Sequence, residues 1–275
     1  MIGDRTIGII GAGSMSEALI RGLCNSGVSP NRIIVTNRSN RDRLEDLSRR
    51  FEIRNTRDKA GLIGESHVVV IAVKPKDVPA LLGEIGSLLR AGQVVISVAA
   101  GVQTSFIEDR VMARGVEVIR AMPNTSCLVK ESATAVSRGS SAGEAAEQIA
   151  RAVFSSVGKI VVVPEAMLDA VTGLSGSGPA YVYLMIEAMV EAGERMGLTL
   201  EVSRTLAVQT VFGAAKMLKD TGESPEYLRR RVTSPGGTTM AGLEVLAEKG
   251  FHQAVIQAIS RATERSQELG RALMV

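Results

Sequence analysis

Residues 6–16 read Thr-Ile-Gly-Ile-Ile-Gly-Ala-Gly-Ser-Met-Ser, a short apolar run that ends in glycine and leads into a helical pattern. This is a G-x-G-x-M variant of the glycine-rich G-x-G-x-x-G motif, with the small residue Ser16 in place of the third glycine. Gly11 permits a tight turn, and Gly13 lets the backbone approach a pyrophosphate at the helix N-terminus. The strand-turn-helix context predicts dinucleotide binding, and the alternative is a purely structural turn. The predicted cofactor contacts in this loop are Gly11, Ala12, Gly13, Ser14 and Met15.

Short apolar runs alternate with helical patterns from this loop as far as Pro164. Strands that are apolar throughout and alternate with helices are typical of a parallel sheet covered on both faces. Beyond Pro164 the pattern contains helices and no convincing strand. We therefore predict an α/β fold, with a Rossmann-type parallel-sheet domain over residues 1–163 and an all-helical domain over residues 164–275.

The second predicted strand ends in Val35-Thr36-Asn37-Arg38-Ser39. An NAD-binding fold usually carries an acidic residue here for the ribose 2′-hydroxyl, and this segment has none. Arg38, helped by Asn37 and Ser39, could instead hold a 2′-phosphate through a bidentate contact. This favours NADPH as the preferred cofactor, with NADH as the alternative. The competing interpretation is that Arg38 is an exposed charge at a strand end.

Three further strand ends are candidate ligand sites, because ligands of open α/β sheets lie beyond the carboxyl ends of the strands. Two of them offer small residues and backbone to a passing cofactor. The third gives a stiff polar loop, in which Asn124 is a candidate for contact with both cofactor and substrate. The residues predicted at the first two ends are Ala72, Val73, Lys74 and Pro75, and Ala99, Ala100 and Gly101.

The stretch Ser234-Pro235-Gly236-Gly237-Thr238-Thr239 lies between two helical patterns. Proline followed by two glycines cannot continue a helix without cost, so a tight turn and a new helix are predicted. The start of that helix offers free backbone N–H groups and two threonine hydroxyls to a small anion such as a substrate carboxylate. The alternative is a simple helix-capping turn.

Composition excludes several classes of protein. Aromatic residues make up 3% of the chain and the net charge is +3, which argues against base stacking and a nucleic-acid partner. The two cysteines, Cys24 and Cys127, cannot form a disulfide framework, and no Cys/His cluster has metal-ligand spacing, so no metal is expected. Apolar runs are too short to span a bilayer and no signal-peptide pattern is present, so we expect a cytoplasmic protein without a membrane partner.

These motifs together make the chain resemble the pyrroline-5-carboxylate reductases over nearly its whole length. The resemblance rests on the glycine-rich loop, on Ala72-Val73-Lys74-Pro75, on Met122-Pro123-Asn124-Thr125, on the segment from Leu174 to Tyr181 (LSGSGPAY), and on the Ser234 to Thr239 stretch. It implies NAD(P)H-dependent reduction of 1-pyrroline-5-carboxylate to L-proline, the last step of proline biosynthesis, with hydride delivered to C5 of the imine. It also implies a helical dimerisation domain, and a dimer that is often assembled into a decamer.

The resemblance also implies roles for individual residues. Thr239 matches the family threonine whose hydroxyl contacts the ring nitrogen, which makes it the catalytic candidate. The substrate carboxylate would lie on the backbone N–H groups of Gly236 to Thr238, with help from Ser234 in the same Pro235-containing turn. Ser175, Gly176, Ser177 and Gly178 could close the other side of the substrate, although a flexible interhelical turn is the alternative for them.

Three positions depart from the family pattern. Ser126 stands where proline is usual, and Lys130 stands where a small residue, often glycine, is common. Asp58 lies near a position where the family often has a cofactor-contacting asparagine.

Two other functions are alternatives to this one. A β-hydroxyacid dehydrogenase would carry a catalytic lysine on the helix after the glycine-rich interdomain motif, and Pro179 to Ile186 contain none. A non-catalytic nucleotide-binding paralogue is compatible with the fold. The Ser234 to Thr239 turn argues for catalysis, because a nucleotide sensor would not need it.

Overall fold

The computed structural model describes residues 2–272 and divides into two compact units. The first contains the chain up to Ser177 together with the part from Ser260 onward, and the second is Gly178–Ile259. The predicted functional division between residues 163 and 164 stays a prediction.

The first unit is built on one eight-stranded sheet with the order β3-β2-β1-β4-β5-β6-β7-β8. Its first six positions follow the order of a doubly wound dinucleotide-binding sheet. Neighbouring strands are parallel, except that β6 and β7 pair antiparallel with Ile119 opposite Arg138. The strands are β1 (Ile7–Ile10), β2 (Ile33–Thr36), β3 (Arg54–Asn55), β4 (Val68–Ile71), β5 (Val94–Ser97), β6 (Glu117–Met122), β7 (Ser132–Arg138) and β8 (Gly158–Val162).

Helices cover both faces of the sheet, which explains why its central strands are apolar at every position. Consecutive residues of β1 show this: Ile9 packs into the core under α1, α2 and α6, and Ile10 packs into the core under α3, α4 and α5. The helices of this unit before residue 178 are α1 (Ser14–Asn25), α2 (Arg41–Phe51), α3 (Lys59–Glu65), α4 (Val78–Ile85), α5 (Thr104–Glu108), α6 (Glu144–Ser155) and α7 (Leu168–Val171).

Several elements of the first unit, among them β3, α3 and β7, have no clear counterpart in the sequence pattern. The two residues of β3 are exposed and α3 is a single short stretch with two glycines, so neither produces a clear hydrophobic pattern. The strand β7 reads Ser-Ala-Thr-Ala-Val-Ser-Arg and lacks an apolar run. Its antiparallel pairing with β6 is the exception to the expected parallel sheet.

The second unit consists of helices, as predicted for the chain beyond Pro164. The side chain of Thr199 caps α9 by accepting from the Val202 N–H (3.3 Å). The helices of the C-terminal half are α8 (Gly178–Arg195), α9 (Leu200–Thr221), α10 (Pro225–Arg231), α11 (Thr238–Glu248) and α12 (Phe251–Ala272), and the last part of α12 belongs to the first unit.

The helical unit has almost no interior of its own. Within Gly178–Ile259 the only buried residues are Ser203 and Ala207. Large apolar side chains are exposed along the same helices, among them Leu206 and Phe212 on α9 (54% and 59% exposed). Many exposed large apolar side chains on helices that bury so little are typical of an interaction face.

No helix in the described part of the chain is both long and apolar enough to cross a membrane.

Candidate active site

The predicted cofactor loops after β1, β2 and β4 meet at the carboxyl edge of the sheet. The N–H of Gly11 donates to the Thr36 carbonyl (2.8 Å), and the N–H of Ala72 donates to the Ile10 carbonyl (2.8 Å). Gly11 has φ +117°, and a Cβ atom at this position would overlap the Ala72 carbonyl. Both the conformation and the close approach therefore require glycine.

The N-terminus of α1 is open. Gly13 is its N-cap residue, no side chain caps the helix, and no heavy atom lies within 4 Å of the position that a Gly13 Cβ would take. The amides of the first turn thus keep the positive end of the helix dipole available, an arrangement that fits a diphosphate. Ser14 is exposed, and half-buried Met15 has its sulfur 3.6 Å from the Cys127 sulfur.

Ser16 is fully buried in the first turn of α1. Its position is consistent with the expectation that a small residue is needed there for close packing of the helix.

The segment after β2 is exposed at the position expected to meet the 2′-phosphate. The Arg38 side chain is 79% exposed, and within residues 2–272 its only ion pair is with Asp77 (3.7 Å). The Asn37 amide donates to the Asn40 carbonyl (2.7 Å), and Ser39 is exposed. The arginine is therefore available to an external anion.

The loops after β4 and β5 differ in accessibility. Lys74 is exposed, and Pro75 begins a 3₁₀ turn that leads into α4. Gly101 has φ +74°, and a Cβ there would lie 3.0 Å from the Gly270 amide nitrogen on α12. The loop containing Ala99, Ala100 and Gly101 is thus held from behind by the C-terminal helix.

A buried charge network below this loop was missed by sequence reasoning. Arg120 on β6 has a side chain 3% exposed and lies 3.4 Å from a Glu165 oxygen and 3.5 Å from an Asp169 oxygen. Glu165 accepts from the N–H (2.7 Å) and hydroxyl (2.5 Å) of Thr104, and Asp169 accepts from the Ser266 hydroxyl (2.7 Å). The network links β6, α5, α7 and α12. The charged Arg120, which follows the apolar residues Val118 and Ile119 of β6, was the signal that could have revealed it.

Asn124 and the Ser175 segment lie together. The Asn124 amide donates to the Ser175 carbonyl (3.0 Å), and its oxygen accepts from the Ser126 N–H (3.2 Å). A Cβ on Gly176 would lie 2.8 Å from the Met122 terminal methyl. Residues Thr172–Gly176 form a π-helical turn, a feature that is frequent at functional sites. Ser177 follows this turn, and α8 begins at Gly178.

The Ser234 to Thr239 stretch forms the predicted turn in the second unit. Gly236 adopts φ +70°, and the Gly237 N–H donates to the Ser234 carbonyl (3.0 Å). Gly237 is the N-cap residue of α11, and no side chain caps that helix. Thr238 and Thr239 occupy its first turn and are exposed. The first-turn amides are therefore available to a carboxylate.

Arg43 on α2 is a second contact that the sequence analysis missed. Its Nε donates to the Ala12 carbonyl (3.1 Å), and one of its terminal nitrogens donates to Glu17 in the first turn of α1. Burial by itself raises the pKa of Glu17, but hydrogen bonds from Arg43 and Arg50 outweigh it and hold this pKa at about 2. The sequence signal for this contact was the pair of opposite charges on α1 and α2, Glu17 and Arg43.

No group of three or more His, Cys, Asp or Glu side chains within residues 2–272 is arranged to hold a metal ion.

Comparisons with known proteins identify the family of this chain. Residues 6–101 match the family described as NADP oxidoreductase coenzyme F420-dependent, and residues 165–269 match the family described as pyrroline-5-carboxylate reductase dimerisation. A Bacillus subtilis protein named pyrroline-5-carboxylate reductase 1 is 41% identical over 97% of this chain and 90% of its own length. The chain belongs to the pyrroline-5-carboxylate reductase family.

Solved structures of pyrroline-5-carboxylate reductases share the fold. One from Coxiella burnetii has a TM-score of 0.90 and 37% identity, covering 96% of this chain and 98% of its own. One from Plasmodium falciparum, solved with NADP bound, has a TM-score of 0.87 and 29% identity, covering 97% of this chain and 98% of its own.

Membership of the pyrroline-5-carboxylate reductase family confirms the predicted fold class, a Rossmann-type domain followed by a helical dimerisation domain. It also confirms that the chain is an NAD(P)-dependent oxidoreductase. The relatives favour neither the β-hydroxyacid dehydrogenase nor the non-catalytic alternative.

Proposed function

We propose that this chain reduces 1-pyrroline-5-carboxylate to L-proline, the last step of proline biosynthesis, with NADPH preferred over NADH. The observation that carries the proposal is a pair of uncapped helix N-termini, each preceded by glycine. The N-terminus of α1 fits a diphosphate and that of α11 fits a carboxylate. A dinucleotide-dependent enzyme acting on a small amino acid precursor needs both.

The cofactor would be held by the loops that meet at the carboxyl edge of the sheet. The amides around Gly13 would bind the diphosphate. The rest of the cofactor would extend along the loops at Ala72 to Pro75 and at Ala99 to Gly101 toward Asn124. When bound, the reduced nicotinamide supplies the hydride that C5 of the imine receives.

The substrate carboxylate would be bound by the turn before α11. The backbone amides of Gly236 and Thr238 and the hydroxyl of Ser234 would bind the anion, whereas the Gly237 N–H is already donated to the Ser234 carbonyl. This leaves the Thr239 hydroxyl, in the same first turn, to hydrogen-bond the ring nitrogen. A hydrogen-bonded or protonated imine is more electrophilic at C5. Threonine is a weak acid, so the proton would arrive on the substrate or through water.

The preference for NADPH is supported by the exposed Arg38 and by the absence of an acidic residue at the end of β2. An Asp or Glu there would repel a 2′-phosphate and hydrogen-bond a 2′-hydroxyl.

The helical domain implies self-association, which the family match to a dimerisation domain supports. We infer a dimer formed through the C-terminal helices, because Gly178–Ile259 bury only two residues of their own. The larger assembly that we propose is a decamer made of five such dimers. Light scattering during gel filtration would distinguish the two states.

The remaining proposals concern the cellular setting. Cys24 and Cys127 are unpaired thiols, which is consistent with the reducing cytoplasm. We propose that the chain acts there on its small-molecule substrate, without a nucleic-acid or membrane partner.

The experiment that tests the function is oxidation of NADPH by purified protein with pyrroline-5-carboxylate, followed by absorbance, with NADH in parallel. Rapid turnover that is faster with NADPH is expected. Faster turnover with NADH would keep the activity and remove the 2′-phosphate assignment. Tight nucleotide binding without turnover would contradict the proposed substrate.

A further inference from the structure

The glycine-rich loop is fixed at two consecutive peptides by different partners. Gly11 is anchored to the Thr36 carbonyl by its N–H and lies against the Ala72 carbonyl. The next carbonyl, that of Ala12, accepts a hydrogen bond from the Nε of Arg43 (3.1 Å). The first anchor belongs to the sheet, whereas the second comes from a side chain on α2.

Fixing the Ala12 carbonyl also fixes the direction of the following amide. In a planar trans peptide the C=O and N–H groups point in opposite directions. The Gly13 N–H is therefore directed away from the Arg43 guanidinium. Because the Cβ side of Gly13 is open, this peptide is part of the surface that a diphosphate would approach.

Arg43 is itself held in place at several points. Its backbone N–H donates to the Asn40 side chain that caps α2 (3.0 Å), and its guanidinium contacts Asp46 (3.2 Å) and Glu17. The side chain is 28% exposed, compared with 79% for Arg38. A guanidinium has five donors in a planar fork, so it can hold the loop and a carboxylate together.

The charges around Glu17 suit an anion at this end of α1. A carboxylate in the first turn would by itself repel a diphosphate. Arg43 and Arg50 each contact both Glu17 and Asp46, and Arg21 lies 3.2 Å from Glu17, so three arginines neutralise these two carboxylates. The Glu17 carboxylate holds Arg43 in place, and the surrounding guanidinium groups offset its negative charge.

We propose that Arg43 is a positioning residue for the dinucleotide, which orients the Ala12–Gly13 peptide so that the loop amides receive the diphosphate. The inference rests on the proposed function, because it requires a dinucleotide at this loop. The diphosphate is common to NADPH and NADH, so Arg43 acts equally on both cofactors, whereas Arg38 acts on the 2′-phosphate of one.

The test is equilibrium binding of NADPH and NADH to the full chain, followed by nicotinamide fluorescence, for wild type, Arg43→Gln and Arg43→Lys. Loss of a charge-assisted hydrogen bond predicts that Arg43→Gln raises both dissociation constants about tenfold and leaves their ratio unchanged. Arg43→Lys keeps the charge but lacks the fork, so a smaller rise for both is expected. If Arg43→Gln does not fold, the lysine variant alone decides.

Three controls separate positioning from general destabilisation. Arg49→Gln removes an 83% exposed arginine of the same helix, paired only to Asp46 among its described ion pairs, and should leave binding unchanged. Arg38→Ala should weaken NADPH alone. Adenosine 2′-monophosphate lacks the diphosphate, so Arg43→Gln should not change its affinity.

The outcomes separate failure of the role of Arg43 from failure of the proposed function. Unchanged cofactor affinity in both Arg43 variants, with normal binding by the wild type, would overturn the inference and keep the proposed function. A rise confined to NADPH would also overturn it and would place Arg43 at the 2′-phosphate. Absence of dinucleotide binding by the wild type would overturn the proposed function and the inference together.

Discussion

At the scale of single residues, Gly11 and Gly13 have different physical reasons to be glycine. Gly11 has φ +117° and lies against the backbone of Ala72, so a side chain meets both strain and an immovable neighbour. Gly13 has φ −79° and open space beside it. The first glycine is required by the folded chain, and the second leaves room for a ligand.

These two positions should respond differently to alanine. Gly11→Ala should lower the free energy of unfolding by about 1–2 kcal/mol or more, because a left-handed conformation is strained and the Ala72 carbonyl must move. Gly13→Ala should lower stability by less, by about the few tenths to 1 kcal/mol expected for alanine at an N-cap position. It should weaken NADPH binding, since its methyl group occupies the space next to the loop amides. Urea unfolding and cofactor titration of both variants measure this. Equal stability losses would contradict the distinction.

Thr239 carries the predicted chemistry of the turn before α11. Thr239→Ala should lower kcat roughly 10- to 1,000-fold if its hydrogen bond strengthens in the transition state. Thr239→Ser keeps the hydroxyl and should retain most of the activity. Thr238→Ala is the neighbouring control, because only the backbone of Thr238 has a proposed role. Steady-state kinetics measure these effects, and an unchanged kcat for Thr239→Ala would show that Thr239 has no part in the mechanism.

The backbone conformation of Lys130 explains why the family commonly has a small residue at this position. It ends the 3₁₀ turn Thr125–Val129 with φ +63°, in the left-handed region that glycine adopts most easily. The exposed lysine occupies this conformation at a cost, which explains why a small residue suits the position. The resemblance identified the position, but its backbone conformation could not be read from the lysine itself.

At the scale of elements, α1 and α2 are tied together through Glu17. Two arginines of α2, Arg43 and Arg50, hydrogen-bond this carboxylate in the first turn of α1. The link joins the helix that starts the cofactor site to the helix that follows the second strand. It is electrostatic, and so it depends on pH.

The sign of this dependence follows from the lowered pKa of Glu17, about 2 against an ordinary value of 4.5. A carboxyl group whose pKa is depressed by folding contributes stability above its unfolded value, and loses it as pH falls through the folded one. The stability difference between wild type and Glu17→Gln should therefore be constant above about pH 5 and shrink as pH falls toward 2. Urea unfolding across this range measures it, and a pH-independent difference would contradict the assignment.

Elements were predictable where one local pattern decided them. The strands β1, β2, β4 and β5 are buried at every position and appear in the sequence as apolar runs. The strand β7 depends on pairing with β6 and β8, and its small polar residues give no local signal. Contacts such as Arg43 with Ala12 join residues 31 positions apart, so they follow from the packing of α2 and not from either segment alone.

At the scale of the whole molecule, the two compact units obtain their stability from different sources. The first has two apolar cores, one on each side of its sheet. The second buries only Ser203 and Ala207 and exposes Phe212 and Leu206. The split between a Rossmann half and a helical half was predictable from periodicity, whereas the lack of an interior in the helical unit was not, because amphipathic helices look alike whether their partner is the same chain or a copy.

Self-association should therefore make the stability depend on protein concentration. The midpoint of thermal unfolding should rise as the protein concentration is increased, because dissociation accompanies unfolding. Phe212→Glu should lower the midpoint and shift the protein toward monomer in light scattering, whereas Glu201→Gln, an exposed polar change on the same helix, should do neither. A midpoint independent of concentration would contradict the proposed dimer.

The scarcity of buried residues in Gly178–Ile259 has a consequence for the cell. The helical half of a newly made chain is protected only after it binds a second copy of the chain. Until then it is susceptible to proteases, for a time that depends on the concentration of other copies. The steady-state amount of enzyme would then rise more steeply than the rate of its synthesis. Two alleles translated together would also form mixed assemblies, so a damaged helical half could impair the product of an intact gene.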